Sequence, residues 1–195
     1  MGSTQDVLQK LESVLSNINA PILDILQPGI DRNLIDNLIS ELDLSFKMEV
    51  YELYAWRNGT MDTKRKIIGA MTLFTNGIFY SLEQSIDVYK YNALENAHWN
   101  RNYFPLFSSG GGDYLLMDLG KGKFEGAIFL YSPALLYSST PLTIYDSLEM
   151  LLLSVLECYQ QKAYDFIDGI LETDIDMEFS ICKKNNPHSK YWEDS

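Results

Sequence analysis

Between Thr4 and Ile18 the apolar residues are Val7, Leu8, Leu11, Val14, Leu15 and Ile18. Steps of three and four place them on one face of a helix, with Ser3 or Thr4 able to cap its start. Pro21 and then Pro28-Gly29 interrupt the period and mark a connection. The period resumes from about Asp31 to Leu42, where Leu34, Ile35, Leu38, Ile39 and Leu42 form a buried stripe. A third helix covers roughly Phe46 to Trp56, with Phe46, Val50, Leu53 and Tyr54 inward. It stops at Arg57-Asn58-Gly59, where Asn or Gly can take the left-handed conformation that closes a helix.

The pattern then changes. Thr60 to Lys66 is polar and reads as a loop, Lys66 to Phe74 could hold a short strand, and Thr75-Asn76-Gly77 is a turn. Ser81-Leu-Glu-Gln84 matches a capping box and opens a helix carrying Leu82, Ile86, Tyr89 and Tyr91, which charge and His98 end. From Tyr103 to Leu119 the chain is apolar at both ends, with Gly110-Gly111-Gly112 between. This stretch reads as strand, glycine turn, strand, and Gly126 to Tyr131 adds a third apolar run. Tyr145-Asp-Ser-Leu-Glu149 gives a second capping box, Asp146 to Glu149, before the most apolar helix of the chain. That helix is apolar all round, which implies packing on more than one side and against the sheet. Asp174 to Phe179 alternates like a strand, but acids at its start and Lys183 and Lys184 at its end favour a helix in which Ile175, Phe179 and Cys182 face inward.

These elements predict an α+β fold, a central, mostly antiparallel sheet packed by several helices. A chain of 195 residues reads as one domain over 1–195, with helices at about 4–58, a sheet region at about 66–132 and helices at about 146–184. No run approaches the ~20 apolar residues of a membrane helix, and no basic segment followed by an apolar stretch opens the chain. Cys158 and Cys182 fall in separate apolar patterns, which suits buried thiols in a reducing cytoplasm better than a disulfide. The net charge is −12, from 15 basic and 27 acidic residues. Nucleic acid is a poor partner for that field, whereas a basic protein would be attracted.

The residues offer no catalytic device, metal site or cofactor site. Gly110 to Gly112 could cradle phosphate, but Asp113 follows where a P-loop needs Lys and a hydroxyl. Asp113 and Asp118 stand an odd number of residues apart, on opposite faces of a strand. His98 and His188 lie in no metal spacing, and Ser108 and Ser109 lack the glycine elbow of a hydrolase. Trp56, Arg57 and Asn58 read first as a packed Trp and a helix-ending Asn-Gly. Trp, Tyr and Arg are also favoured at interface hot spots. On that reading Trp56, Arg57, Asn58, Asp113, Tyr114 and Tyr131 are candidate partner-binding residues. Tyr80, Tyr103 and Tyr137 could serve the same surface, although most tyrosines stiffen the edge of the core.

Several short motifs in order carry a resemblance. Pro28-Gly29-Ile and Tyr54-Ala-Trp-Arg-Asn-Gly59 resemble the opening of the SUKH superfamily, bacterial immunity proteins related to the fungal cell-wall assembly regulator. Phe79-Tyr-Ser-Leu-Glu83, Phe104-Pro-Leu-Phe107 with Gly111-Gly-Asp113, Tyr145-Asp-Ser-Leu148, Asn186-Pro187 and Tyr191-Trp192 resemble its later segments. The chain departs from the pattern at Leu44-Ser-Phe46, where many members carry Leu-Pro; Pro pre-sets a first helical turn, and without it that corner is expected to be looser. The resemblance implies an α+β fold and a non-enzymatic cytoplasmic role. The leading expectation is an immunity protein that binds and neutralises a cognate toxin, for which a basic toxin domain would be the partner. The alternative is an intracellular scaffold or regulatory module of the fungal type.

Overall fold

The computed structural model describes residues 3–61, 67–95, 99–132 and 142–193. Ser3 caps α1 (Thr4–Asn17) in a full capping box with Asp6. A 3-10 turn at Pro21–Asp24 then leads into a short strand, β1 (Leu26–Pro28). Asp31 caps α2 (Arg32–Ile39), accepting the amide of Leu34 at 2.9 Å. Ile35 and Ile39 of α2 are buried, Leu38 and Leu42 pack against the core from its edge, and Leu34 faces solvent rather than the predicted stripe.

Helix α3 (Met48–Trp56) runs directly into β2 (Arg57–Thr60), which pairs antiparallel with β1. The helix therefore ends on extended backbone at Arg57, φ −149°, and the left-handed residue expected to close it, Gly59, lies within β2. Gly59 has φ +76°, and a Cβ there would lie 2.1 Å from the amide nitrogen of Ser81, so glycine serves a close approach. Gly29 has the same use: a Cβ would fall 1.9 Å from the carbonyl oxygen of Ala55.

The expected strand over Lys66–Phe74 does not form. Lys66 lies outside the described residues, and Ile68–Ala70 is a 3-10 turn. The five-stranded antiparallel sheet runs in chain order: β3 (Ile78–Phe79), β4 (Tyr103–Ser108), β5 (Tyr114–Asp118), β6 (Ile128–Tyr131) and β7 (Leu142–Tyr145). The glycine turn joins β4 to β5, with Gly110 and Gly112 at φ +76° and +105°. Helix α4 (Leu82–Glu95) lies against β4 and opens on the predicted box, in which Ser81 and Gln84 exchange bonds of 3.2 and 2.9 Å. Tyr91 of α4 is exposed, not inward. His98 lies outside the described residues.

Ser147, not Asp146, caps α5 (Leu148–Gln160), accepting the amide of Met150 at 3.1 Å. Asp146 and Ser147 both carry capping side chains, and the hydroxyl one residue later takes the role. Asp146 is instead tied to the C-terminal segment: its amide donates to Asn186 Oδ1 at 3.0 Å, and its Oδ2 accepts from the amide of His188 at 3.2 Å. Two further strands, β8 (Tyr164–Ile167) and β9 (Ile170–Thr173), form a hairpin through Asp168-Gly169, both with positive φ. Then α6 (Ile175–Asn185), capped by Asp174, packs on α5. Its Ile175, in the first turn, is exposed rather than inward. Helix α5 lies between α1 and α6 and also meets β7 and β8. One buried cluster runs from Leu8 and Leu11 of α1 through Tyr54, Phe79, Phe104, Phe107, Met117 and Leu152 to Trp192.

The C-terminal segment closes one edge of the sheet. Ser189 Oγ and Trp192 Nε1 donate to the carbonyls of Thr143 and Ile144, at 2.9 and 2.7 Å. An edge strand with unpaired carbonyls invites pairing with another chain, so this closure protects β7.

Candidate functional site

Strand alternation gives the five-stranded sheet two unlike faces. Leu115, Met117 and Ile128 point into the core. Ser108, Tyr114 and Tyr131 stand in register on the opposite face, as do Leu116 and Phe129. That outer face is aromatic. Tyr114 lies 6.2 Å from Tyr131 and 6.3 Å from Tyr80, ring centre to ring centre. Trp99 sits against both sheet tyrosines, 6.0 Å from Tyr114 and 4.9 Å from Tyr131. Its Nε1 donates to the carbonyl of Tyr103 at 3.0 Å, which fixes the ring. Farther along, Tyr103 stacks on Phe129 at 4.9 Å, and Phe124 meets Phe129 edge-on.

Trp99, Leu116 and Phe129 are buried, while Tyr80, Tyr103, Tyr114 and Tyr131 are half-buried. Burial, with Tyr80 and Tyr131 nearby, raises the Tyr114 phenol above its ordinary range, so it stays neutral and offers an O–H. Asp113 closes the glycine turn and precedes Tyr114 in the chain. Ser109 holds the turn, its Oγ accepting from the amides of Gly111 and Asp113 at 3.1 and 3.3 Å. Asp118, at the far end of β5, spends its carboxylate on the amide of Gly120 at 2.8 Å.

Thus Tyr114 and Tyr131 come together, joined by Tyr80 and by Trp99, which the hydrophobic pattern did not single out, and Asp113 is next to Tyr114 in the chain. Tyr137 lies outside the described residues. Trp56, Arg57 and Asn58 belong to a different part of the fold. Trp56 Nε1 donates to Glu12 Oε2 of α1 at 2.8 Å, and the Arg57 guanidinium donates to Glu12 Oε1. Asn58 is buried; its Oδ1 accepts from the amide of Leu82, its Nδ2 donates to Glu83, and its carbonyl accepts from Gln27. All three side chains have partners within the chain. Glu12 could not be singled out from the sequence, because it sits on the polar face of a long helix and meets Trp56 only after folding.

A groove of about 890 Å³ lies between the 123–127 link, β7 and the C-terminal segment. Lys123, Glu125, Asp146, His188 and Lys190 line it. Asp146 meets His188 through the backbone amide, not the imidazole, so the two do not form an acid–base pair. Among the described residues no three His, Cys, Asp or Glu side chains are placed to hold a metal ion. No helix among them is long and apolar enough to cross a membrane.

An α+β molecule with a helix-covered inner sheet face and an aromatic outer face fits the architecture that the motifs implied. The chain matches the SMI1 / KNR4 family (SUKH-1) over residues 29–154, and it belongs to that family. No curated protein matches the chain. The matched span ends within α5, so α1, the β8–β9 hairpin and α6 lie outside it.

Proposed function

We propose that the protein is a non-enzymatic, cytoplasmic protein-binding module, an immunity protein that occludes a cognate toxin. The observation that carries this reading is the tyrosine array of Tyr80, Tyr114 and Tyr131 around Trp99, beside Asp113. Half-buried aromatic rings on a rigid sheet bring large contact area at little entropic cost, which is what interface hot spots require. Family membership supports a role in protein–protein contact, and the net charge of −12 favours a basic partner. In this proposal Trp56, Arg57 and Asn58 support the surface from behind, by fixing α3, β2 and the start of α4.

The test is co-expression with the product of the adjacent reading frame, scoring growth rescue and a stable one-to-one complex. Rescue with a complex, both weakened by Tyr114→Ala, supports the proposal. A neighbour that is harmless alone, or toxic but neither bound nor rescued, overturns it in favour of a scaffold role.

A further inference from the structure

The β8–β9 hairpin has one face packed inward, with Tyr164 buried and Phe166 and Leu171 against the core. On its other face Asp165, Ile167 and Glu172 are exposed, while Ile170 is half-buried. Asp165 and Glu172 are directly opposed across the two strands, and Ile167 and Ile170 are opposed at the tip. Like charges in that arrangement oppose pairing. Among the described residues no ion pair involves either acid. Asp165 Oδ1 accepts the amide of Phe166 at 2.8 Å.

The apolar tip continues across the molecule. Ile170 approaches Gly69 so closely that a Cβ there would lie 2.7 Å from its Cγ2. Ile68 in turn lies beside Gly110, a Cβ of which would be 3.2 Å from the Ile68 side chain. Ile67, Ile68 and Ile167 are 59%, 48% and 57% exposed. An exposed apolar strip thus links the hairpin to the glycine turn and so to the tyrosine array. Large exposed apolar patches rimmed by polar residues mark interaction surfaces.

We propose that the outer face of the hairpin, Asp165 and Glu172 with Ile167 and Ile170, is a docking surface for a basic protein segment that also carries apolar side chains. The proposal names the chemistry of the partner for the protein-binding role above and rests on that reading. Cations placed on Asp165 and Glu172 relieve their mutual repulsion, and apolar side chains cover the isoleucine strip. The surface lies outside residues 29–154, so membership of the family does not by itself supply it.

The probe is a synthetic amphipathic peptide of Lys and Leu, titrated into the isotopically labelled full chain and followed by amide shifts. The expected result is perturbation of residues 165–172 and 67–70, weakening as salt rises. Asp165→Asn/Glu172→Gln should weaken binding at least about threefold without lowering the melting temperature, since it removes a repulsion. Asp165→Glu/Glu172→Asp should retain binding. Perturbation confined to other surfaces, or a double neutralisation with no effect, overturns the proposal. Binding seen only after Lys64, Arg65 and Lys66 are all changed to Gln overturns it too, because the chain's own basic run would then be the occupant. Growth rescue separates the two readings. Rescue unaffected by the neutralised hairpin removes only this surface, whereas absence of rescue by the native chain removes the toxin-binding role and leaves the peptide result standing.

Discussion

Asn58 Oδ1 accepts the backbone amide of Leu82 at 2.9 Å, tying the strand after α3 to the first turn of α4. The amide of Leu82 is one of the donors that a helix start leaves without a partner, and here it is buried. Ser81 satisfies Gln84 two residues on, so the two caps serve different amides. Asn58→Ala should lower stability by about 1–3 kcal/mol, the usual cost of stranding a buried donor. Chemical denaturation would measure it. Asn58→Asp keeps an acceptor for Leu82 but faces Glu83, whose Oε2 now receives the Asn58 amide at 3.1 Å. It should fall between the native chain and the alanine variant.

Glu12 joins α1 to the end of α3 through both Trp56 and Arg57. The ion pair is partly exposed, with 25% of the Arg57 and 31% of the Glu12 side-chain surface accessible, so its net value is modest. Glu12→Ala and Arg57→Ala should each cost about 1 kcal/mol, and the double variant less than their sum, in a double-mutant cycle. If Arg57→Ala weakens a partner complex while Glu12→Ala does not, Arg57 also touches the partner.

Two carboxylates on neighbouring helices respond to pH in opposite senses. Burial raises the Glu178 carboxyl above its ordinary range, against the lowering effect of hydrogen bonds from Tyr164 and Thr75. The folded chain therefore holds this proton more tightly than the unfolded chain. Its contribution is most favourable below the ordinary carboxylate pKa and is lost as pH rises through the raised value. For Glu157, burial is outweighed by bonds from Lys184, Asn185 and Gln161, and the carboxyl is lowered. Its stabilisation is present above the ordinary value and is lost as pH falls through the lowered one. Melting temperature against pH should rise less steeply from acid to neutral for Glu157→Gln than for the native chain. Glu178→Gln, which can still pair with Tyr164 and Thr75, should gain relative to the native chain as pH rises.

Much of this architecture was legible where local chemistry and period agree. The Ser81–Gln84 box, the helix after Asp174 with acids at its start and lysines at its end, and the strand–glycine–strand centre need only neighbouring residues, and each formed as its sequence implies. The missed elements are those whose partners are distant. Strand β2 carries Asn58-Gly59, poor β-formers that join a strand because β1 and the start of α4 satisfy them. The β8–β9 hairpin lies within the 146–184 region expected to hold helices, although Asp168-Gly169 is a strong hairpin signal. For the candidate site, Tyr114 and Tyr131 stood out as tyrosines in strand-like runs. Trp99 did not, because its value comes from a place across the sheet that only the register of β4, β5 and β6 defines.

Cys158 and Cys182 face each other between α5 and α6, and both thiols are free and almost fully buried. The contact with Cys158, and then burial, pushes the Cys182 thiol far above its ordinary range. Thiolate is the reactive form, so proximity alone does not make this pair a redox device. A thiol-reactive dye should label neither cysteine in the native chain and both after denaturation. Labelling should be limited by opening of the α5–α6 contact, so Glu157→Gln, which loosens that contact, should accelerate it in step with its loss of stability. Rapid labelling of the native chain would show that the helices part more readily than their packing implies.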